Sequence, residues 1–399
     1  MARREGRPRG RANQPMKYAR APFWTGIAAA AGASVLLAGC KPAAQGSGKP
    51  GVGGELYQPQ LTPHFQAGEA FKYEATASLD SDMRVIVLNQ DAGAGAATAN
   101  VSGGAAAAQP MANVAKEEHE SYAVQMVADG LARSVYPNGT LREVIYLVHL
   151  CQIIHQDGKS ETLAPAGSVL GARRQEDGRL AFAIDGQAPT PAVAANLGYV
   201  AQLGDPNETD DALLGPASPV AVGESWPVSP EKLLQSGFAQ AYPGTEQAVG
   251  KFRLESVQPD AGGHLSMVVS GGFALEGMRP PFPPQVQALP SVVNYQMTIA
   301  SPVVAGAGVY QADLKTLTHH QGRAVAGADG KELPGETRFD INISLEQHAR
   351  YTFDPAMQPA AALVDAPPVP SLPPPGKDES AGTDGASPPP SGAAGNTVP

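Results

Sequence analysis

Towards its C-terminal end this chain alternates apolar and polar residues with a period of two over an unusual length. Phe339, Ile341, Ile343 and Leu345 alternate with Arg338, Asp340, Asn342, Ser344 and Glu346, and Ala349, Tyr351 and Phe353 keep the same parity. Successive side chains of a strand point to opposite faces, so this is a strand buried on one face. Residues 339–353 give up to fifteen positions of one phase, against a usual strand of about 5–6. Strands of that length suit a strongly curved sheet: a barrel, a half-barrel or a sandwich. The pattern recurs. Phe71, Tyr73, Ala75, Ala77 and Leu79 alternate with Lys72, Glu74, Thr76, Ser78 and Asp80, and Val293, Tyr295, Met297 and Ile299 behave alike.

Turn residues fit antiparallel hairpins. Tyr136-Pro-Asn-Gly139-Thr140 joins a strand near 122–135 to one near 143–154; Asp177-Gly178 precedes Leu180, Phe182 and Ile184; Pro259 to Gly263 joins 251–257 to 265–270. Helix signals are few. Thr190-Pro191 reads as an N-cap and first-turn proline, with Val193, Leu197 and Val200 on one face, and Ser229-Pro230-Glu231 opens a second, shorter helix. The expected fold is mainly β: a long antiparallel curved sheet with one or two short helices, flanked by disordered segments. Ala67-Gly68-Glu69-Ala70-Phe71 is echoed by Val222-Gly223-Glu224-Ser225-Trp226, which suggests two similar halves over 64–204 and 216–354.

Gly 45 and Pro 38 together are about a fifth of 399 residues, below the roughly 25–30% of a wholly disordered chain. They concentrate at particular places. A flexible tether is expected over 40–63, an Ala-rich disordered insert over 91–115 and a disordered Pro-rich tail over 355–399. Lys+Arg 28 against Asp+Glu 38 gives a net charge of −10, which argues against nucleic acid as a partner.

Residues 1–25 carry seven basic side chains against one acid, and Ile27–Leu37 follows without a charge. A basic segment before a short apolar stretch is an export signal. Eleven residues at about 1.5 Å each fall far short of the ~30 Å membrane core. Leu37-Ala38-Gly39-Cys40 resembles the bacterial lipobox in every position. The resemblance implies cleavage of a signal peptide, 1–39, between Gly39 and Cys40, diacylglycerol on the Cys40 thiol, and an acyl chain such as palmitate on the new amine. Removing 1–39 takes away seven basic residues and one acid and moves the charge from −10 to −16, so acyl chains and not protein charge would hold the chain to a membrane. Lys41, where the inner-membrane retention signal has Asp, points to the outer membrane facing the periplasm. The Gly-Glu-Ser-Trp element at 223–226 resembles one in uncharacterised β-rich envelope lipoproteins and implies no activity.

Candidate chemistry is thin. Gly223-Glu-Ser225-Trp-Pro227 lacks the glycine that a nucleophile elbow needs two residues after the serine. His149, Cys151 and His155 share parity on one expected strand, and His149 with Cys151 forms a weak metal candidate, with His319 or His320 available from another strand. Asp205 to Asp211 begins like a calcium loop but has Asp210 and Pro216 where an EF-hand needs Gly and Glu. Trp226 is a weak candidate for ligand contact. No catalytic set and no cofactor is expected. The leading expectation is a non-enzymatic, membrane-anchored envelope lipoprotein that binds a hydrophobic ligand such as a lipid, or an envelope protein, or acts as a scaffold. The alternative is a hydrolase of cell-envelope polymers whose residues converge only on folding. An empty apolar concave face would favour a lipid carrier; a filled one would favour a scaffold or partner-binding role.

Overall fold

The computed structural model describes residues 54–88, 112–236, 239, 244–279, 286–324 and 336–371. The alternating segments become strands of unusual length. In chain order the elements are β1 (Leu56–Tyr57), β2 (Ala70–Leu88), β3 (Ala112–Val135), β4 (Leu141–His155), β5 (Ser160–Thr162), β6 (Val169–Arg174), β7 (Leu180–Ile184), α1 (Pro191–Val200), α2 (Asp210–Leu214), β8 (Val220–Ala221), β9 (Ser225–Pro227), α3 (Pro230–Gln235), β10 (Gln247–Pro259), β11 (Leu265–Met278), β12 (Val286–Pro302), β13 (Gly308–Ala324), β14 (Glu336–Phe353) and α4 (Ala361–Val364). The expected hairpins and both expected helices are present. Among the described residues there are four short helices, against the one or two expected.

Twelve strands form one antiparallel sheet in the order β7-β6-β4-β3-β2-β14-β13-β12-β11-β10-β9, with β5 beside β4, while β1 pairs with β8 separately. The sheet is open, with β7 and β9 at its two ends. Two meanders therefore meet along β2 and β14, where Tyr73 faces Tyr351 and Phe71 faces Phe353. One apolar cluster joins Leu170 and Phe182 near one end of the sheet to Trp226 and Phe252 near the other. The sheet curls around this shared core. At its middle, Phe65, Phe71, Tyr73 and Tyr351 pack ring to ring, with Phe65–Phe71 centroids at 5.2 Å and Tyr73–Tyr351 at 4.8 Å, spacings at which aromatic pairs add stability beyond area burial.

The five-residue echo is one local structure used twice. Gly68 and Gly223 sit at φ 86° and 87°, a conformation that costs glycine little and other residues more. Gly68 N–H donates to Ala132 O at 2.7 Å, and Gly223 N–H to Leu254 O at 2.7 Å. The Glu69 carboxylate accepts from Gln66 N–H at 2.8 Å, and that of Glu224 from Ala221 N–H at 2.9 Å. Phe71 and Trp226 then enter the core. The likeness is confined to this opening turn, because β2 continues for 19 residues and β9 for three.

Three boundaries differ from expectation. The tether was expected to reach residue 63, but Leu61 is fully buried. Its N–H donates to Asp211 Oδ1 at 2.6 Å and its carbonyl accepts from Tyr310 Oη at 2.5 Å. The disordered insert was expected to reach 115, but β3 begins at Ala112; residues 91–111 lie outside the described residues. The tail was expected to be disordered from 355, yet 355–371 is ordered on the opposite face of the sheet. There Leu363, Ala366 and Val369 pack with Leu131, Ile145, Ala181 and Ala183 in a second apolar cluster. Arg133 donates to the carbonyl oxygens of Pro367, at 3.0 Å, and Ala366. This strap explains why β4 is apolar on both faces.

Candidate functional site

The concave face is occupied by the chain itself. Segment 61–65 and the run from α1 to α3 lie on it, held by polar groups projecting from the sheet. Tyr73 Oη donates to Val200 O at 2.6 Å, Gln347 Nε2 to Tyr199 O at 3.2 Å, and Trp226 Nε1 to Leu214 O at 2.8 Å. These bonds satisfy carbonyls near the ends of α1 and α2 that lack intrahelical partners. Leu197, Val200, Leu203, Leu214 and Leu233 fill the space beneath. Among the described residues a cavity of about 80 Å³ lies there, bordered by Phe65, Leu203, Asp210, Met297, Tyr310 and Tyr351. Small-molecule pockets are usually roughly 300–1,000 Å³, so this one is too small for a lipid chain.

Asp210 is the one ionisable group bordering that cavity among the residues just named whose protonation changes near neutrality. Burial, and then the charge of Asp211, raise its pKa from 3.8 to about 7. Asp211 itself is engaged elsewhere: it accepts the Leu61 and Thr62 N–H groups, at 2.6 and 3.3 Å, and lies 3.6 Å from His64 Nε2. The Asp205–Asp211 segment is thus a structural clip. Asp205 accepts from Asn207 N–H, Thr209 caps α2, and Asp211 pins segment 61–62. The carboxylates of 205 and 211 are spent on different backbone groups and do not form a calcium loop.

The metal candidate His149–Cys151 is not brought together. The β3–β4 register shifts between Val127 and Ala128, so that Val127 faces Leu150 but Ala128 faces Val148. This bulge at His149 inserts one residue and reverses the parity of everything after it. His149 is exposed and pairs with Asp129 at 3.0 Å, while Cys151 is buried within the core. Burial pushes the Cys151 thiol up to about 11, the state of an inert core cysteine. His155 pairs loosely with Glu161 at 3.9 Å. His319 and His320 also part: His319 Nε2 lies 2.7 Å from Asp340 on the outer face, whereas His320 is buried, its pKa lowered to about 4 by burial and by His319.

Trp226 is buried and packs at 6.4 Å on Phe252, its cross-strand partner. Ser225, beside it, is exposed on a three-residue strand. Gly39 and Cys40 lie outside the described residues. A second recess of about 570 Å³ lies at the surface between Tyr136, Arg142, Arg174, Glu176, Asp205 and Asn207. Its lining is polar and of mixed charge. Arg174 spends its guanidinium on the carbonyls of Gly178, Leu203 and Gly204, and Arg142 sits 5.9 Å over the Tyr136 ring. Of this recess the sequence marked only the 205–207 segment as candidate chemistry and the others as turns, because its lining comes from three separate segments of the chain.

No protein-family model matches the chain, and no curated protein matches it significantly. No described helix is long and apolar enough to cross a membrane.

Proposed function

We propose that this protein is a lipid-anchored envelope protein, tethered through acyl chains on Cys40, whose folded body acts as a scaffold or binds a protein partner and does not carry lipid. The observation that carries the second half of this reading is the filled concave face: the chain's own segments 61–65 and 191–236 take the place that a cargo would need, leaving about 80 Å³. The first half rests on the Leu-Ala-Gly-Cys sequence at 37–40. A body of charge −16 after cleavage would be repelled by anionic headgroups, which suits a domain held by its anchor and turned towards soluble or membrane partners.

Growth of expressing bacteria with a clickable palmitate analogue tests the anchor. Wild-type protein should become labelled and sediment with membranes, and Cys40→Ser should do neither. A photo-crosslinker on the outer face of β13 should then yield discrete protein adducts; crosslinks to lipid alone would reject partner binding. Unmodified Cys40 in the mature wild-type chain would reject the anchor.

A further inference from the structure

The outer face of the sheet carries a set of donors that the proposed function does not use. Asp80 and Asp82 are alternate residues of β2, so their side chains leave the same face. His119 on β3 stands directly across from Asp82. Its Nδ1 lies 2.9 Å from Asp82 Oδ1 and 4.0 Å from Asp80 Oδ1, and one ligand atom from each of the three residues falls within 4.8 Å of the others. We propose that Asp80, Asp82 and His119 form a binding site for a divalent transition-metal ion of the zinc or manganese class.

Three points of chemistry favour an ion over a simple salt bridge. The first is the donor set. One imidazole nitrogen and two carboxylates suit borderline ions, and three protein ligands with a water completing the shell is a common arrangement for zinc. The second is charge. One imidazolium discharges one carboxylate, and here two carboxylates converge on a single ring nitrogen. Both carboxylates lie within 4.0 Å of His119 Nδ1, so a doubly charged cation placed among the three would neutralise both where a single proton neutralises one. Arg84, two residues further along β2, forms its ion pair with Glu117 at 2.8 Å. The third is rigidity. The ligands are on two adjacent strands in unbroken register from Asp80↔Ser121 to Asp82↔His119, so binding needs only small side-chain rotations and no backbone ordering.

The same face holds a natural control. His319 and Asp340 make a comparable pair at 2.7 Å, but their neighbours are Asn342 and Gln321, not a second carboxylate. Among the described residues that pair has one anionic ligand and no third His, Cys, Asp or Glu beside it.

Equilibrium dialysis of the mature chain against zinc chloride tests the assignment. Wild type should bind one more equivalent than either Asp82→Asn or His119→Ala, and each variant should bind at that step on the order of tenfold or more weakly, as loss of one of three ligands implies. Asp80→Asn should weaken it as well, while His319→Ala should bind as wild type does. All four positions are exposed or half-buried, and circular dichroism melts without metal should coincide, which separates ligand loss from misfolding. Saturable binding absent below about 1 mM, or binding changed less than tenfold by Asp82→Asn or His119→Ala, or lost equally in His319→Ala, would overturn the site.

Discussion

Gly171 on β6 tests the ordered C-terminal strap at a single atom. A methyl group built on its Cα would lie 2.5 Å from Cγ2 of Val369 and 3.3 Å from Cδ1 of Ile145, whereas carbon atoms in contact settle at about 3.5–4.0 Å. In Gly171→Ala the Val369 isopropyl group must therefore retreat by roughly 1 Å or the strap must lift. Overpacking of this kind costs about 1–3 kcal/mol. The strap is held by the burial of Leu363, Ala366 and Val369 and by the two Arg133 hydrogen bonds, and each fully buried Val or Leu is worth roughly 1.5–3 kcal/mol. One added methyl thus removes a large share of what binds the strap. Urea unfolding should show the loss, and hydrogen exchange read by mass spectrometry should show it confined to residues 361–371 and the strands beneath. Val369→Ala in the same background should relieve the clash, so that the double variant is more stable than the two single effects summed, by about 0.5–3 kcal/mol as for residues in contact. Strict additivity, or unchanged exchange across 361–371, would refute the docking of the strap on Gly171.

Trp226→Ala should cost about 3–5 kcal/mol, because it empties a packed site and orphans the Leu214 carbonyl; native emission that is red-shifted and freely quenched by iodide would contradict the burial. Cys151 should resist a bulky thiol reagent in native protein and react on unfolding; rapid native labelling would contradict its place in the core. Asp210 holds a proton in the folded state between its ordinary pKa of 3.8 and about 7, a range in which the unfolded chain has released it. Stability should therefore fall as pH rises through that window and level off above it. Asp210→Asn should melt higher than wild type at about pH 8 and match it at about pH 3.5; parallel pH profiles would refute the assignment.

The sheet was legible in the sequence wherever one face of a strand is wet. Residues 339–353 alternate because Arg338, Asp340 and Asn342 meet water while Ile341, Leu345 and Tyr351 meet the core, and β14 follows that pattern to its last residue. In β4 the signal fails. The strap covers the outer face and the core covers the inner one, so both parities are apolar and a one-residue bulge leaves no mark. That is why His149 and Cys151, two apart in sequence, fall on opposite sides. The strap itself was hidden for the opposite reason. Ala366-Pro-Pro-Val-Pro-Ser371 has the composition of a disordered tail, and its order depends on Arg133 and Gly171, far away in the chain. Helix α2 could have been read from Thr209 as N-cap followed by two acidic residues, but the same acids resemble a calcium loop. The clip that Asp211 makes to Leu61 joins residues 150 apart, and the Asp80–Asp82–His119 set depends on a register that the 88–112 connection does not reveal.

The chain's own segments fill the concave face and leave a cavity too small for a lipid chain. This is tested by native mass spectrometry of residues 41–399, which lack Cys40, after incubation with excess phospholipid vesicles and free fatty acid. The mass of the polypeptide alone is expected, with melting unchanged by lipid. A stoichiometric lipid adduct that survives gentle activation and raises the melting temperature would contradict it, by showing that segments 61–65 and 191–236 yield their place to a ligand.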